Sequence, residues 1–319
     1  YLIFYNNKIS SLENFSGMQL SSSGYSLDFS SNQLVNVDGL SSLDTNGLDV
    51  LDLSYNQIAD VSGLSGVVLP DLRYLRLDNN SLTSFVGLSG VEMPELLSFS
   101  LEENDLLSLV GLGGFTIPKL TTLDLGDNEL TSLEGLNQVN TPMMMTLEVN
   151  NNPLTTLQGL NGVNWTEFEV LDVVNTQLNS IESLSDMRAP KLREVRLITG
   201  LLSVVDMQLF ANFPLLERLD FHENQIVEIQ NLEGIYTPQL DSFDLSDNQL
   251  ADLSGFENLA HTKLRSLDLD RNLLTDISPL ESLIFLDYLR LGELFESTCL
   301  QISALENALY ATDIYRYCQ

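Results

Sequence analysis

The side chains of this sequence that could do chemistry are mostly carboxylates, because 45 residues are Asp or Glu and only two are His. Asp220, Asp244 and Asp268 recur at steps of 24 residues, so a structure with that period would align them. Carboxylate oxygens are the ligands that Ca²⁺ prefers in proteins. The three aspartates therefore form a candidate site for Ca²⁺ or for a cationic partner, and the alternative is a solvated polar face.

A catalytic set cannot be assembled from the remaining reactive residues. His222 and His261 lie at different points of the 24-residue step, and neither joins a Ser–His–Asp or Cys–His combination. The glycine-rich run at 111–114 lacks the spacing of a phosphate-binding loop. We therefore predict no catalytic residues, a protein that is not an enzyme, and no cofactor other than the possible Ca²⁺.

The elements that must position these side chains follow from the same period. An asparagine recurs at Asn32, Asn56, Asn80, Asn104, Asn128, Asn152, Asn224, Asn248 and Asn272. A fixed period of this size indicates stacked repeats that share one continuous core. With Leu48 as position 1, Leu51 and Leu53 alternate with polar residues, which is typical of a short strand with one buried face. The asparagine at position 9 has donors and an acceptor that could bridge the backbone of successive turns.

The order of leucines and asparagine, L-x-x-L-x-L-x-x-N-x-L, resembles the leucine-rich repeat family over residues 1 to about 294. The resemblance implies an α/β solenoid, a horseshoe or arc. A parallel β-sheet would line its concave side, and irregular or 3₁₀ segments would form its convex side. The apolar residues after each asparagine follow at three-residue steps, which favours 3₁₀ over regular helix. The subfamily stays unassigned, because the repeat length and the residues after the asparagine point to different subtypes.

The two cysteines, Cys299 and Cys318, lie together in one terminal segment. Their position suggests a single disulfide that closes a cap, and the alternative is two free thiols in a reducing compartment. We assign residues 1–294 to the solenoid, with about 12–13 repeats and no visible N-terminal cap. Residues 295–319 are assigned to a C-terminal cap.

The charge of the chain limits its partners. A formal net charge of −31 argues against binding to nucleic acid, whose phosphates require basic residues. No run approaches the ~20 apolar residues of a membrane helix, so we predict no membrane insertion in this segment. Asn14, Asn79 and Asn164 begin N-x-S/T sequons and are glycosylation candidates, although a chain this rich in Asn, Ser and Thr would contain as many by chance.

Positions 3, 5, 7 and 8 of each repeat are predicted to point out of the sheet. Position 5 reads Asp28, Asp52, Arg76, Ser100, Asp124, Glu148, Asp172, Arg196, Asp220, Asp244, Asp268 and Arg290. Arginines concentrate at positions 2 to 8, at Arg73, Arg76, Arg193, Arg196, Arg218, Arg265, Arg271 and Arg290. Local charge balance against the acidic column is one explanation for this concentration. A recognition surface is the other, since Arg is enriched at binding hot spots.

Two successive repeats break the pattern, with Thr176 and Gly200 in place of the asparagine and apolar residues at position 7. Departures from a regular rule often mark function or strain, and the alternative is drift in a redundant array. We predict an exposed apolar pair within a partner-binding cluster made of Val174, Arg193, Glu194, Arg196, Ile198, Arg218 and His222.

The resemblance implies a non-enzymatic recognition module located outside the cell or at its surface, such as a receptor ectodomain or an adhesin. Its concave sheet would bind a protein or a glycan. A first alternative is a structural subunit of a surface layer or filament, which self-associates end to end. A second alternative is an intracellular scaffold for protein interactions, in which the cysteines are reduced.

Overall fold

The structure is a computed structural model that describes residues 1–15, 18, 24–43, 45–85, 89–233, 237–309 and 311–318. The chain forms two compact units, Tyr1–Phe168 and Glu169–Gln319, called unit 1 and unit 2 below. Each unit is built from the predicted repeats, because every repeat adds one short strand to a parallel sheet and then returns through an irregular or 3₁₀ segment.

Unit 1 contains a parallel sheet in which seven described strands are ordered β1-β2-β3-β4-β6-β8-β9. A separate parallel pair, β5 and β7, lies in the return segments. The strands are β1 Leu2–Ile3, β2 Tyr25–Asp28, β3 Leu48–Asp52, β4 Tyr74–Arg76, β5 Val91–Glu92, β6 Ser98–Ser100, β7 Phe115–Thr116, β8 Thr122–Asp124 and β9 Thr146–Glu148. The 3₁₀ helices are Glu13–Phe15, Leu40–Ser42, Ser62–Leu64, Leu112–Gly114 and Leu136–Gln138.

Unit 2 repeats this arrangement, with described sheet strands in the order β10-β11-β13-β15-β16-β17-β18 and a return-segment pair β12 and β14. The strands are β10 Val170–Val174, β11 Glu194–Ile198, β12 Val204–Asp206, β13 Arg218–Asp220, β14 Glu228–Gln230, β15 Ser242–Asp244, β16 Ser266–Asp268, β17 Tyr288–Leu294 and β18 Asp313–Cys318. The helices are the 3₁₀ segments Glu182–Asp186, Met207–Phe210, Phe256–His261 and Ser278–Ser282, followed by α1 Glu296–Cys299 and α2 Ile302–Ala308.

The core of each unit consists of the leucine positions predicted from the alternation. Leu51 and Leu53 are 0% and 1% exposed, whereas Asp52 between them is only half-buried. Aromatic residues fill the wider parts of the core, as where Phe85 and Phe115 meet edge to face with ring centroids 5.8 Å apart. Burial of one such side chain stabilises the fold by roughly 1.5–3 kcal/mol relative to leaving it exposed.

The asparagine at position 9 makes the same four hydrogen bonds throughout the array. The Nδ2 of Asn128 donates to the carbonyls of Leu101, Leu125 and Gly126 at 3.0–3.1 Å, and its Oδ1 accepts the N–H of Leu106 at 3.0 Å. Equivalent bonds occur at Asn32, Asn56, Asn80, Asn104, Asn152, Asn224, Asn248 and Asn272. Each side chain therefore pairs backbone groups that the turn would otherwise leave buried without partners.

The residue at position 8 of the repeat, directly before the ladder position, has a left-handed backbone, which sequence reasoning missed. Its φ lies between 51° and 57° at Ser31, Tyr55, Asn79, Glu103, Asp127, Asn151, Asn175, Thr199, Glu223, Asp247 and Arg271. This conformation costs an L-residue other than Gly roughly 1–2 kcal/mol. The conformation also occurs at Asn175 and Thr199, which no asparagine follows, so it belongs to the turn of the repeat itself. None of these positions carries the glycine that would have signalled it in the sequence.

The two repeats without asparagine keep the stack by other means. The N–H of Leu178 is hydrogen-bonded to Thr176 Oγ1 at 3.3 Å. At Gly200, an added Cβ would lie 2.7 Å from Asn224 Oδ1, the atom that accepts the N–H of Leu202. Gly200 supplies no side chain to the ladder, and Asn224 Oδ1 lies close to the place that a Cβ would occupy.

The segment 295–319, predicted as the cap, contains α1, α2 and β18. Cys299 and Cys318 form the predicted disulfide, with Cα atoms 5.8 Å apart. Ile302 and Leu305 of α2 are buried, so the short helix covers apolar core. The strand β18 was not predicted: it pairs in parallel with β17 and adds a further strand to the sheet. In the described residues, no helix has the length and apolarity needed to cross a bilayer.

Replacing one ladder asparagine tests the role of these hydrogen bonds. We expect Asn128→Ala to lower the free energy of unfolding by at least ~2 kcal/mol, because it leaves buried backbone groups without partners. Urea denaturation followed by circular dichroism measures the change. Asn137→Ala is the control, since Asn137 is exposed on a return segment and makes one long hydrogen bond. Equal stabilities of the two variants would contradict the ladder's role.

Candidate functional site

The sheet side of each unit is formed by positions 2, 3, 5, 7 and 8 of the repeats. Parallel pairing places equal positions opposite one another, as with Asp52 and Arg76 in unit 1 or Asp172 and Arg196 in unit 2. Neighbouring strands of a sheet lie ~4.8 Å apart, so side chains 24 residues apart in sequence become immediate neighbours. Charges on this side must therefore be read along columns of equal position.

Each arginine that the sequence placed at positions 2 to 8 has an acidic partner in an adjacent or the same repeat. In unit 1, Arg73 binds Asp49 at 2.5 Å and Arg76 binds Asp52 at 3.2 Å. In unit 2 the pairs are Arg193–Glu217 at 2.5 Å, Arg196–Asp172 at 3.0 Å, Arg218–Glu194 at 3.0 Å, Arg265–Asp287 at 3.8 Å, Arg290–Asp268 at 3.5 Å, and Arg271 with Asp247. Local charge balance thus accounts for all the arginines that the sequence placed at positions 2 to 8.

These ion pairs set the charge of the surface more than they set its stability. The arginine side chains remain 40–60% exposed, and exposed pairs contribute only about 0–1 kcal/mol each. Their main consequence is electrostatic: where a column contains an arginine, a carboxylate beside it is neutralised. Net negative charge is left where the columns contain none.

Several aspartates at position 5 also have a structural role at the end of the strand. Asp244 Oδ1 accepts the N–H of Ser246 at 2.9 Å and its hydroxyl at 2.6 Å. The same bond to the N–H two residues on is made by Asp28, Asp52, Asp124, Asp220 and Asp268. Sequence reasoning missed these bonds, although the recurring Asp-x-Ser spacing could have indicated them.

The prediction of an exposed apolar pair at position 7 is wrong for Ile198, which is 5% exposed, while Val174 is half-buried. The reason is that β10 and β11 each continue to position 7, where Val174 and Ile198 are paired in register. Just after β11, the N–H of Thr199 donates a hydrogen bond to the carbonyl of His222, which follows the neighbouring strand β13. β-Branched residues at this position therefore lengthen the ladder rather than form a surface anchor.

The charged members of the predicted partner-binding cluster do lie together, but they bind one another. Arg218 contacts Glu194, Arg196 contacts Asp172, and Arg193 contacts Glu217, as described above. His222 Nδ1 lies 2.8 Å from Asp220 Oδ1. These contacts use the groups that a partner would need, which weakens the geometric argument for this cluster as the contact site.

The aspartates predicted to bind Ca²⁺ stand in register on β13, β15 and β16. Asp268, however, is engaged by Arg290. The pKa of Asp268 is raised from its ordinary value, mainly by burial of the carboxyl and also by Asp244, against the opposing effect of Arg290. The donor atoms that lie within 4.8 Å of one another belong to Asp220, His222 and Asp244 instead.

A cluster of carboxylates in unit 1 was missed by the residue-by-residue reading of the sequence. This acidic patch consists of Asp78, Glu102, Glu103, Asp124 and Asp127, at positions 7, 8 and 5 of three successive repeats. Glu103 and Asp127 are exposed, and the other three are half-buried. The signal was available in the sequence, because residues 77–168 contain one basic residue, Lys119, which binds Glu95 at 2.6 Å.

Three carboxylates of the acidic patch, Asp78, Glu102 and Asp124, have raised pKa values, with burial as the largest cause. The pKa of Glu102 is raised first by partial burial and then by the charges of Asp124, Asp127, Glu103 and Asp78. Burial also raises the pKa values of Asp78 and Asp124 and outweighs the hydrogen bonds that each of them accepts. Arg76 opposes the rise for Asp78, and the patch as a whole is a region of net negative potential on the sheet side.

A depression on the sheet side of unit 1 adjoins the acidic patch. Asp78 and Glu102 line it together with the rings of Tyr5 and Tyr55, which are 54% and 57% exposed. Arg76 also lines it, paired with Asp52, so Asp78 and Glu102 leave a net negative charge there. Carboxylates beside accessible aromatic rings are suited to ammonium and guanidinium groups, which the rings attract through their π faces. The depression can therefore accept a basic side chain.

The glycosylation candidates differ in accessibility. Asn14 and Asn164 are exposed, whereas Asn79 is half-buried on the sheet side with a left-handed backbone. The third residue of the first sequon, Ser16, lies outside the described residues. Accessibility leaves all three asparagines as candidates and favours Asn14 and Asn164.

Comparison with known proteins agrees with this architecture. The family model described as leucine-rich repeats in two copies matches residues 46–90 and 238–282. No curated protein matches the sequence. The structure is similar to an LRIM1/APL1C complex, with 22% identity, a TM-score of 0.64, and coverage of 91% of this chain and 60% of that one.

Two further solved structures share the fold. One is the ectodomain of the Arabidopsis thaliana receptor kinase GASSHO1/SCHENGEN3 in complex with CASPARIAN STRIP INTEGRITY FACTOR 2, at 21% identity and a TM-score of 0.57, covering 92% of this chain and 36% of that chain. The other is a TLR13–ssRNA13 complex, at 17% identity and a TM-score of 0.59, covering 98% of this chain and 56% of that chain. At these identities the likeness shows the fold alone.

The raised pKa values predict that stability increases as the pH is lowered from neutrality. Asp78, Glu102, Asp124, Asp172 and Asp268 take up protons at higher pH when folded than when unfolded. The folded state therefore gains relative stability as the pH falls toward ~4, the ordinary carboxyl pKa. Below that value the trend reverses, because the pKa values of Asp247, Asp252 and Asp276 are lowered by hydrogen bonds.

Thermal melting between pH 7.5 and 3 measures this dependence. Asp124→Asn should stabilise the protein at pH 7.5, because the amide keeps an acceptor for the Gly126 N–H without the charge. Asp252→Asn is the matched control and should destabilise it, since the two bonds from Ser254 favour the charged carboxylate of Asp252 and lower its pKa. A melting temperature that falls steadily from pH 7.5 to 5 would contradict the prediction.

Proposed function

Because this chain is a leucine-rich repeat protein, we propose that it is a non-enzymatic recognition module that works outside the cell and binds a basic segment of a protein partner. The binding surface is the sheet side of unit 1, where the acidic patch and the adjoining depression lie. The observation that carries the proposal is the distribution of charge. Arginines of the sheet side are neutralised by carboxylates in register, whereas the acidic patch keeps a net negative charge beside Arg76, which is itself paired with Asp52.

The chemistry of the depression supports a basic protein segment as the ligand. Tyr5 and Tyr55 provide accessible rings, and Asp78 and Glu102 provide carboxylates on the same surface. A Lys or Arg side chain placed there would gain charge attraction and contact with a ring. It would also relieve the repulsion that raises the pKa of Glu102, so the free energy of binding includes the removal of an unfavourable interaction.

Electrostatics disfavour nucleic acid as the partner in spite of one structural neighbour. The TLR13 structure is a complex with ssRNA13, whereas this chain has a net charge of −31 and its sheet-side arginines are occupied. Phosphate binding depends on free basic groups. The plant receptor ectodomain in complex with CASPARIAN STRIP INTEGRITY FACTOR 2 is the more relevant precedent for our proposal.

The location outside the cell is supported by the disulfide between Cys299 and Cys318. Disulfides persist in oxidising compartments and are rare in the cytosol. A thiol count on protein purified without reductant from its natural source tests this part of the proposal. Two free thiols would favour the intracellular scaffold instead.

Binding of a fluorescent lysine-rich peptide, followed by anisotropy, tests the surface. The triple variant Glu102→Gln, Glu103→Gln, Asp127→Asn should weaken binding roughly tenfold or more, because ~1.4 kcal/mol corresponds to a factor of ten. Tyr55→Asn should weaken it several-fold without any change of charge. Asn is chosen because it tolerates the left-handed backbone at this position and occupies the same position at Asn79.

The matched control is Asp105→Asn, Glu129→Gln, Glu134→Gln, which removes three exposed carboxylates of unit 1 outside positions 2 to 8. It changes the net charge by the same amount and should retain nearly all of the affinity. If the control loses as much affinity as the triple variant, the peptide responds only to overall charge. The assignment of the binding surface would then be wrong.

A further inference from the structure

Two neighbouring aspartates on the sheet side of unit 2 lack the arginine that neutralises the others of their column. Asp172 is bound by Arg196 and Asp268 by Arg290. Asp220 and Asp244 stand between these pairs, in register with each other, and no described arginine forms an ion pair with either. A histidine occupies position 7 beside them, where the neighbouring repeat has Ser246.

The donor atoms of these three side chains converge. One ring nitrogen of His222 and one oxygen from each of Asp220 and Asp244 lie within 4.8 Å of one another, the single group of this kind in the described part of the chain. In a tetrahedral site with bonds of ~2.1 Å, two ligand atoms are separated by about 3.4 Å. Side-chain rotations that shorten the separations by up to about 1.4 Å would bring the three donor atoms to bonding distance.

Local hydrogen bonds hold the three side chains in place and leave some of their oxygen and nitrogen atoms available to a metal ion. Asp220 Oδ1 accepts a hydrogen bond from the backbone N–H of His222 at 3.2 Å and a second one from the ring nitrogen Nδ1 of His222 at 2.8 Å. Asp244 Oδ1 accepts both bonds from Ser246. Each carboxylate therefore retains Oδ2, and the imidazole retains a second nitrogen. All three side chains are partly accessible to solvent, so a cation can enter from the sheet side.

We propose that Asp220, His222 and Asp244 form a binding site for a divalent transition-metal cation of the Zn²⁺ type. The imidazole decides the class of metal, because nitrogen ligands suit Zn²⁺ and its neighbours, whereas Ca²⁺ takes six to eight oxygen ligands. The site therefore differs from the all-carboxylate Ca²⁺ site predicted from the sequence in both its metal and its third ligand. It lies in unit 2 and is independent of the surface proposed for the partner.

The test uses the whole chain, dialysed against chelator and titrated with ZnCl₂ in an isothermal calorimeter. We expect one Zn²⁺ per chain, and a loss of affinity of roughly tenfold or more in His222→Gln and in Asp244→Asn, since each removes a ligand. Two matched variants should bind within about twofold of the parent. His261→Gln removes the other histidine. Asp28→Asn changes an aspartate that accepts two hydrogen bonds from Ser30, as Asp244 does from Ser246.

A second measurement keeps the site assignment separate from effects on folding. In a one-dimensional proton spectrum, the ring signal that disappears in His222→Gln belongs to His222. Zn²⁺ should shift or broaden that signal and leave the His261 signal unchanged. Absence of Zn²⁺ binding, or equal affinity of the parent and His222→Gln, would overturn the proposal. CaCl₂ that displaces Zn²⁺ at comparable concentration would overturn the choice of metal.

Discussion

The hydrogen bonds of the asparagine at position 9 are the constraint on which the rest of this structure depends. One side chain pairs three carbonyls and one N–H from two successive turns, as at Asn128. Because each asparagine bonds the repeat before it, it helps to hold the stagger at one repeat length, and side chains of equal position become neighbours in space.

That stagger converts the order of charges in the sequence into a pattern on the surface. An arginine at a given position meets the acid of the adjacent repeat, as Arg218 meets Glu194, so a basic residue neutralises its neighbour instead of remaining free. Where several repeats in a row carry acids and no arginine, the carboxylates accumulate and leave a net negative charge on the surface. Both surfaces proposed to bind a ligand are interruptions of this compensation: the acidic patch in unit 1, and the Asp220–His222–Asp244 group in unit 2.

Much of the fold could be predicted from the sequence because it depends on residues that repeat. The ladder asparagines, the strands around Leu51 and Leu53, the 3₁₀ return segments and the pairing of the two cysteines all follow from type and spacing. The left-handed residue at position 8 could not be predicted, since residues as different as Tyr55, Thr199 and Arg271 adopt it. The conformation is imposed by the turn that every repeat makes and not by the local preference of those residues.

The candidate site was harder to predict because it depends on what lies across the sheet. Sequence position indicated that Arg196 and Ile198 lie near each other, but it did not show that Arg196 binds Asp172 or that Ile198 is buried by an extension of the strand. The acidic patch is visible only when residues 24 apart are read as neighbours. In a repeat protein of this type, the residues that form a site occupy equal positions of successive repeats and are not consecutive along the chain.

Carboxyl-group labelling read by mass spectrometry tests the central claim most directly, because it reports on each acidic residue separately. Labelling with a carbodiimide and an amine nucleophile should be rapid at Glu103 and Asp127 and slow at Asp49, Asp52 and Asp247, which arginines bind. Addition of poly-L-lysine should protect the acidic patch before other exposed carboxylates such as Asp105 and Glu129. Protection spread evenly over all exposed carboxylates, or equal labelling of paired and patch carboxylates, would contradict the account.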